Sequence, residues 1–297
     1  MRPIGAECSL VLEIAGMSVA LPFAEETLRV ELVVEEREPL LGMAIPVCLT
    51  MPHAETAGCV VTRVGRVALL ALLHACLGTA ELPVHVPETR GMFATTFRLA
   101  KRFDGFPEFN LVADRGVERV RYSALKARGF ELRGHVGEAL YFRLDVAGCE
   151  AAASFDEMPE LVEEEHFYFE RGSVVVDGVS MDGVYEFALT VGTGLQRYAG
   201  GRTRNGKKTV TFTLHTPLEE SVADLLERPS HVVDLGFSLL STFPEPHHAP
   251  GFCIHCEDMV LRKEQKEPDS PDELCSPYMF VGRGGVSANV VREEVVA

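Results

Sequence analysis

The chain has 297 residues, 46% of them hydrophobic, and a formal net charge of −16. That apolar fraction supports sizeable packed cores and excludes a disordered chain, while the length allows one large or two ordinary domains. The acidic balance argues against nucleic acid as a tightly held ligand, because neutralising phosphates needs positive surface.

The N-terminal stretch MRPIGAECSLVLEIAGM lacks the form of a signal peptide, since Glu7 and Glu13 interrupt a short apolar run. LVLEIAGMSVALPF is too short, and too broken by Glu13, to span a bilayer. The expectation is synthesis in the cytoplasm and no membrane partner. Period-two alternation then predicts a strand over Leu28–Glu36 and, after a long loop, another over Gly58–Val64. RVALLALLHACLG comes next; it is apolar throughout and predicts a helix over Val67–Cys76, closed by Gly78 as its C′ residue. His74 inside it reads as a core or helix-end histidine rather than a base. FATTFRLAKRF, EFNLVAD, VRYSALKARGFELRG and ALYFRLDVAG all read as strands, with Asp145 resembling a strand end.

An acidic stretch containing Asp156, Glu157, Glu160, Glu163, Glu164 and Glu165 then reads as a linker or solvated edge, placing a boundary near residue 155. Its consecutive glutamates lack the spaced ligands of a calcium loop. Beyond it the pattern starts again with FYFERGSVVVDGV and a strand over Val184–Val191, then a basic loop and a strand over Thr209–Thr216. A second helix is expected over Leu218–Glu227, with Thr216 as N-cap, Pro217 at N1 and Glu219 at N3. HVVDLGFSLLS, FCIHCEDMVL and VSANVVREEVV complete the half as strands. Both halves read strand, long loop, strand, helix, several strands. The expected fold is mainly β: two related β-sandwich or half-barrel domains, residues 1–155 and 156–297, each with one flanking helix.

The basic loop raises a chemical question. GGRTRNGKKT reads G-x-x-x-x-G-K from Gly201, yet the next position is Lys208 where a phosphate loop needs Ser or Thr for magnesium. A strand comes after it where a helix N-terminus would be required. The loop is therefore either a solvated hairpin tip or a protein-docking element. Cys253-Ile-His-Cys256, with His247 and His248 upstream, has partial metal-ligand spacing. On a strand, however, Cys253 and Cys256 diverge, and reduced thiols are the expectation. There is no G-x-S-x-G, H-E-x-x-H or paired-glycine dinucleotide turn, and no catalytic or cofactor-binding residue is assigned, although absent motifs do not by themselves exclude an enzyme.

Two phrases carry a resemblance: VRYSALKARGFELRGHVGEALYFRLDVAG, and FYFERGSVVVDGVSMDGVYEFALTVGTGLQRYAGG. Together with the element order they resemble the tail tube proteins of long-tailed phages and related tail-like particles, over nearly the whole chain. Many relatives carry one tube domain, whereas this chain reads as two. The resemblance implies a structural protein of the virion tail, made in the host cytoplasm. It implies partners that are copies of itself in closed, stacked rings, and other tail proteins such as tape measure and terminator. Double-stranded DNA would pass through transiently without tight binding, along an acidic lumen. It implies a helix packed on the outside of a β-sandwich, and a long loop reaching a neighbouring subunit. Here that loop carries Arg197, Gly200, Gly201, Arg202, Arg204, Lys207 and Lys208, with Glu163, Glu164 and Glu165 as a candidate acidic face for it. A distal tail or tail-terminator component, and a β-rich ligand-binding module or hydrolase, are the alternatives.

Overall fold

A computed structural model describes residues 8–37, 49–86, 91–102, 105–148, 150–154, 158–159, 166–169, 172–181, 183–198, 202–217, 232–240, 251–262, 275–282 and 285–293. The protein is mainly β, with one helix among the described residues. The helix expected over Leu218–Glu227 lies outside them, as do Glu163, Glu164 and Glu165.

In chain order, β1 (Ser9–Ile14) and β2 (Met17–Leu21) form a hairpin through Ala15 and Gly16, both at positive φ. β3 (Phe23–Glu26) and β4 (Arg29–Arg37) line one edge of the long β5 (Leu49–Arg63), which leads into α1 (Arg66–Leu77). The short β6 (Gly78–Ala80) and β7 (Val84–His85) both pair with β8 (Met92–Leu99). β9 (Phe109–Asp114), β10 (Arg119–His135), β11 (Tyr141–Gly148) and β12 (Glu150–Ala153) complete the first half.

The second half contributes β13 (Gly172–Val176), β14 (Val179–Met181), β15 (Glu186–Gly192), β16 (Leu195–Tyr198) and β17 (Arg202–Asn205). It ends with β18 (Thr209–Pro217), β19 (Val232–Leu240), β20 (Gly251–Arg262), β21 (Cys275–Gly282) and β22 (Gly285–Glu293).

β10 organises the molecule. Its first part pairs with β9 and β12, and its second part with β11 and β15. The change of partners falls at Ala124, a non-glycine residue at φ 52°, where the register to β9 shifts between Tyr122 and Leu125. A bulge of this kind bends a strand and lets it leave one sheet for another. The smaller sheet runs β2-β1-β9-β10-β12. The larger continues β5-β11-β10-β15-β18-β21-β20-β22-β8, all antiparallel.

Among the described residues two ladders cross the expected boundary near residue 155, β10 with β15 and β8 with β22, and the bridges Gly65–His166 and Ala139–Tyr168 cross it as well. The core is likewise continuous, from Leu10 and Leu12 through Phe130, Phe142 and Phe187 to Ile254 and Val290.

α1 is embedded rather than laid on the outside of a sandwich. It meets β1, β2, β6, β8, β10 and β22. Only a narrow strip reaches solvent, with Val67 exposed and Leu70 and His74 half-buried. The cause is legible in its sequence: a helix without a polar face has to be covered nearly all round. Gly78 ends it as expected, at φ 91° and with its N–H donating to the His74 carbonyl.

Candidate functional site

The basic segment is folded, not a simple loop. Beyond the last β15–β18 pair, Gly192 with Thr209, the chain continues as a two-stranded ribbon of β16 and β17. Its register runs from Leu195 opposite Asn205 to Tyr198 opposite Arg202, so Arg197, Arg202 and Arg204 all lie on ribbon strands. Gly200 and Gly201 lie outside the described residues. The ribbon returns into strand β18, so the helix N-terminus that a phosphate loop requires is absent from this place.

The ribbon's root is fixed to the body. Gly194, at φ 73°, lets the strands approach so closely that a Cβ there would lie 2.7 Å from the Gly206 carbonyl carbon. The Thr193 hydroxyl sits 2.9 Å from the carbonyl oxygens of both Ala127 and Arg128 on β10. Leu195 is buried. Lys208 is engaged by its own chain: its ammonium donates to the Ala100 carbonyl and lies 5.5 Å from the Phe106 ring centroid. Burial there lowers the Lys208 pKa. Lys207, next to it, is exposed.

A second charged constellation clamps the N-terminal strands. Arg115 Nη2 and Nε donate to the Glu26 carboxylate at 2.9 and 3.1 Å, and Nη1 donates to Glu118 at 2.9 Å. Nη2 also reaches the Leu28 carbonyl at 3.0 Å and the Tyr122 hydroxyl at 2.9 Å. Hydrogen bonding to the nearly buried Glu26 carboxylate raises the Arg115 pKa still further above the ordinary arginine range. Nearby, Arg119 pairs with Asp114, and Arg121 with Glu13, which also accepts from Asn110 at 3.1 Å. These charges satisfy one another, the arrangement of a structural staple rather than of a reactive centre. Sequence reading missed this network because Arg115 and Glu26 are 89 positions apart; no local pattern announces it.

An open cleft of about 400 Å³ lies between the Ala15–Gly16 turn and the bulge at Ala124. A smaller one, about 210 Å³, is lined by Arg133, His135, Glu138, Tyr141 and Glu186. Beside it Tyr185 stands between His135 and His215, with its hydroxyl 3.2 Å from His215 Nδ1. The solvent side of β5, β10 and β11 carries the exposed Arg63, Arg133 and Arg143, the last 3.0 Å from Asp145.

Cys253 and Cys256 lie on β20 and diverge as the strand period requires. Cys256 is in the core, its thiol pKa pushed up to about 12 by burial, while Cys253 is only half-buried. His247 and His248 lie outside the described residues. Among the described residues no three His, Cys, Asp or Glu side chains converge in a way that could hold a metal ion. His74 is half-buried beside Phe97, and burial lowers its pKa. No described helix is long and apolar enough to cross a bilayer. Compared with known protein families and with curated sequences, the chain matches none.

Proposed function

We propose that this chain is a structural tail tube protein, which associates with copies of itself into closed rings that stack into a conduit for DNA. The observation that carries the reading is the open state of the large sheet. Its ladders run from β4 and β5 to β8 with β6 and β7 and, among the described residues, do not return to their start. Among the described residues β4 pairs with β5 alone, leaving the opposite edge of the ladder without a partner strand. Free edges of this length invite another chain, and a closed ring of chains removes them.

The reading includes two related halves. Support comes from β20, which mirrors β10: it too bends at a non-glycine residue of positive φ, Asp258 at 55°. It too changes partner there, from β22 before the bend to β21 after it. The acidic balance supports a lumen that lets DNA slide rather than stick. Under this reading the strip of Arg63, Arg133 and Arg143 faces a neighbour or the outside, and tape measure and terminator proteins are the further partners. No step of the reading needs catalysis or a cofactor.

Negative-stain microscopy of the concentrated protein tests it. Stacked tubes support the reading. Single closed rings that never stack favour a distal tail or terminator component. A strict monomer favours a ligand-binding module or hydrolase.

A further inference from the structure

We infer that β4 of one copy receives β17 of the next, edge to edge, so that the basic ribbon of each molecule docks on the acidic arm of its neighbour. The inference rests on the self-association proposed above and names the segments that meet.

The receiving edge is long. The β4–β5 ladder extends from Arg29 opposite Ala57 to Arg37 opposite Leu49, but β11 stops pairing with β5 at Thr56. Beyond that point the two strands form an arm, and the outer edge of β4 has no partner strand among the described residues. Val30 is 50% and Leu32 71% exposed on this edge strand. Neither proline nor lysine guards it, although both are common protections of free edges.

The entering strand has a matching character. Among the described residues β17 pairs only with β16, and it is β16 that touches β10, so the far edge of β17 has no partner strand among them. Thr193, Gly194 and Lys208 hold the ribbon's root, so the strand is offered already formed and little ordering opposes docking.

Charge selects this pair over the alternative. β4 carries Glu31, Glu35 and Glu36 against Arg29 and Arg37, while the ribbon segment 195–207 carries Arg197, Arg202, Arg204 and Lys207 with no acid. Two β4 edges paired antiparallel about Val33 would place Glu31 opposite Glu35 and Arg29 opposite Arg37, an arrangement that like charges disfavour. Because β4 and β17 are different patches, the contact is head-to-tail. Such contacts generate rings or filaments rather than simple two-fold dimers.

The test reverses charge on each side and then mixes the products. One protein carries Glu31→Lys with Glu35→Lys; the other carries Arg202→Glu with Arg204→Glu. Thermal melting first shows that both are folded, and sedimentation velocity at low salt reads association. Each reversed protein alone should associate about tenfold more weakly than wild type. An equimolar mixture should recover wild-type association, since each reversed edge then meets its complement at the original average charge. Undiminished association of either reversed protein, or a mixture that does not recover, overturns the inference while leaving self-association standing. A wild type that stays monomeric removes both. Should a reversal unfold, Glu35→Gln and Arg204→Gln replace it: association should weaken and lose part of its salt dependence, and unchanged salt dependence overturns the inference.

Discussion

The Lys208 ammonium lies 5.5 Å from the centre of the Phe106 ring and donates to the Ala100 carbonyl, tying the root of the basic ribbon to the segment just after β8. A lysine that sequence places among the docking charges is thereby committed to its own chain. Lys208→Ser is expected to lower stability by about 1–2 kcal/mol, the scale of a charged hydrogen bond with a cation–π contact. Replacing Arg202, Arg204 and Lys207 together by Ser should leave the urea midpoint unmoved and weaken assembly instead. Equal midpoint shifts in the two variants would show that root and strand are not distinct.

Arg115 is the hub of the N-terminal clamp. Arg115→Met leaves the Glu26 carboxylate, 9% exposed, without its cation. Breaking such a pair from one side should cost about 3 kcal/mol. Arg115→Lys keeps the charge but loses the two-pronged geometry, and should recover only part. Urea unfolding of both variants checks this, and a loss below about 1 kcal/mol for Met would contradict it.

Acid sensitivity arises at Asp114. Its pKa lies below the ordinary carboxylate value, first through the Arg119 hydrogen bond and then through the Gly116 N–H. A folded-state value below the unfolded one stabilises fully above the unfolded pKa, and the contribution is lost as pH falls through the folded value. The stability gap between wild type and Asp114→Asn should therefore hold steady above about pH 5 and close in more acidic solution. Urea midpoints across that range read it; a gap that widens on acidification would contradict the assignment.

Gly58 sits at φ 148° where the β3–β4 connection packs against β5, and a Cβ there would lie 2.6 Å from the Thr27 carbonyl oxygen. Backbone on the other side cannot rotate away, so Gly58→Ala should cost about 3 kcal/mol or more. Gly137, at φ 82° with nothing within 4 Å of such a Cβ, should tolerate Ala at about 1 kcal/mol. Thermal melts of the two variants compare them, and similar losses would mean the contact is looser than its geometry.

Local periodicity carried much of the fold. The strand expected over Leu28–Glu36 is β4, and that over Thr209–Thr216 is β18, each within a residue. α1 and its closing Gly78 were also legible, because an apolar run ending in glycine has few other solutions. β5 was foreseen only from Gly58, although it begins at Leu49. Its first part, LTMPHAET, pairs chiefly with β4 and lacks the sustained apolar alternation that marks a strand in sequence. The ribbon strands escaped for the same reason: RTRN is paired but not built from apolar alternation. Nor could the sequence foresee β10 joining β15, since strand partners so distant leave no local trace. Of the candidate docking residues, sequence gathered the right segment but could not distinguish Lys208 at the root from the charges beyond it.

Closure of the free strand edges by copies of the same chain is tested most directly by negative-stain microscopy of concentrated wild-type protein, at low and at high salt. Stacked rings are expected at low salt, in tubes that shorten as salt screens the charges of the ribbon segment. Isolated monomers under every condition, with melting that shows the protein folded, would contradict self-closure.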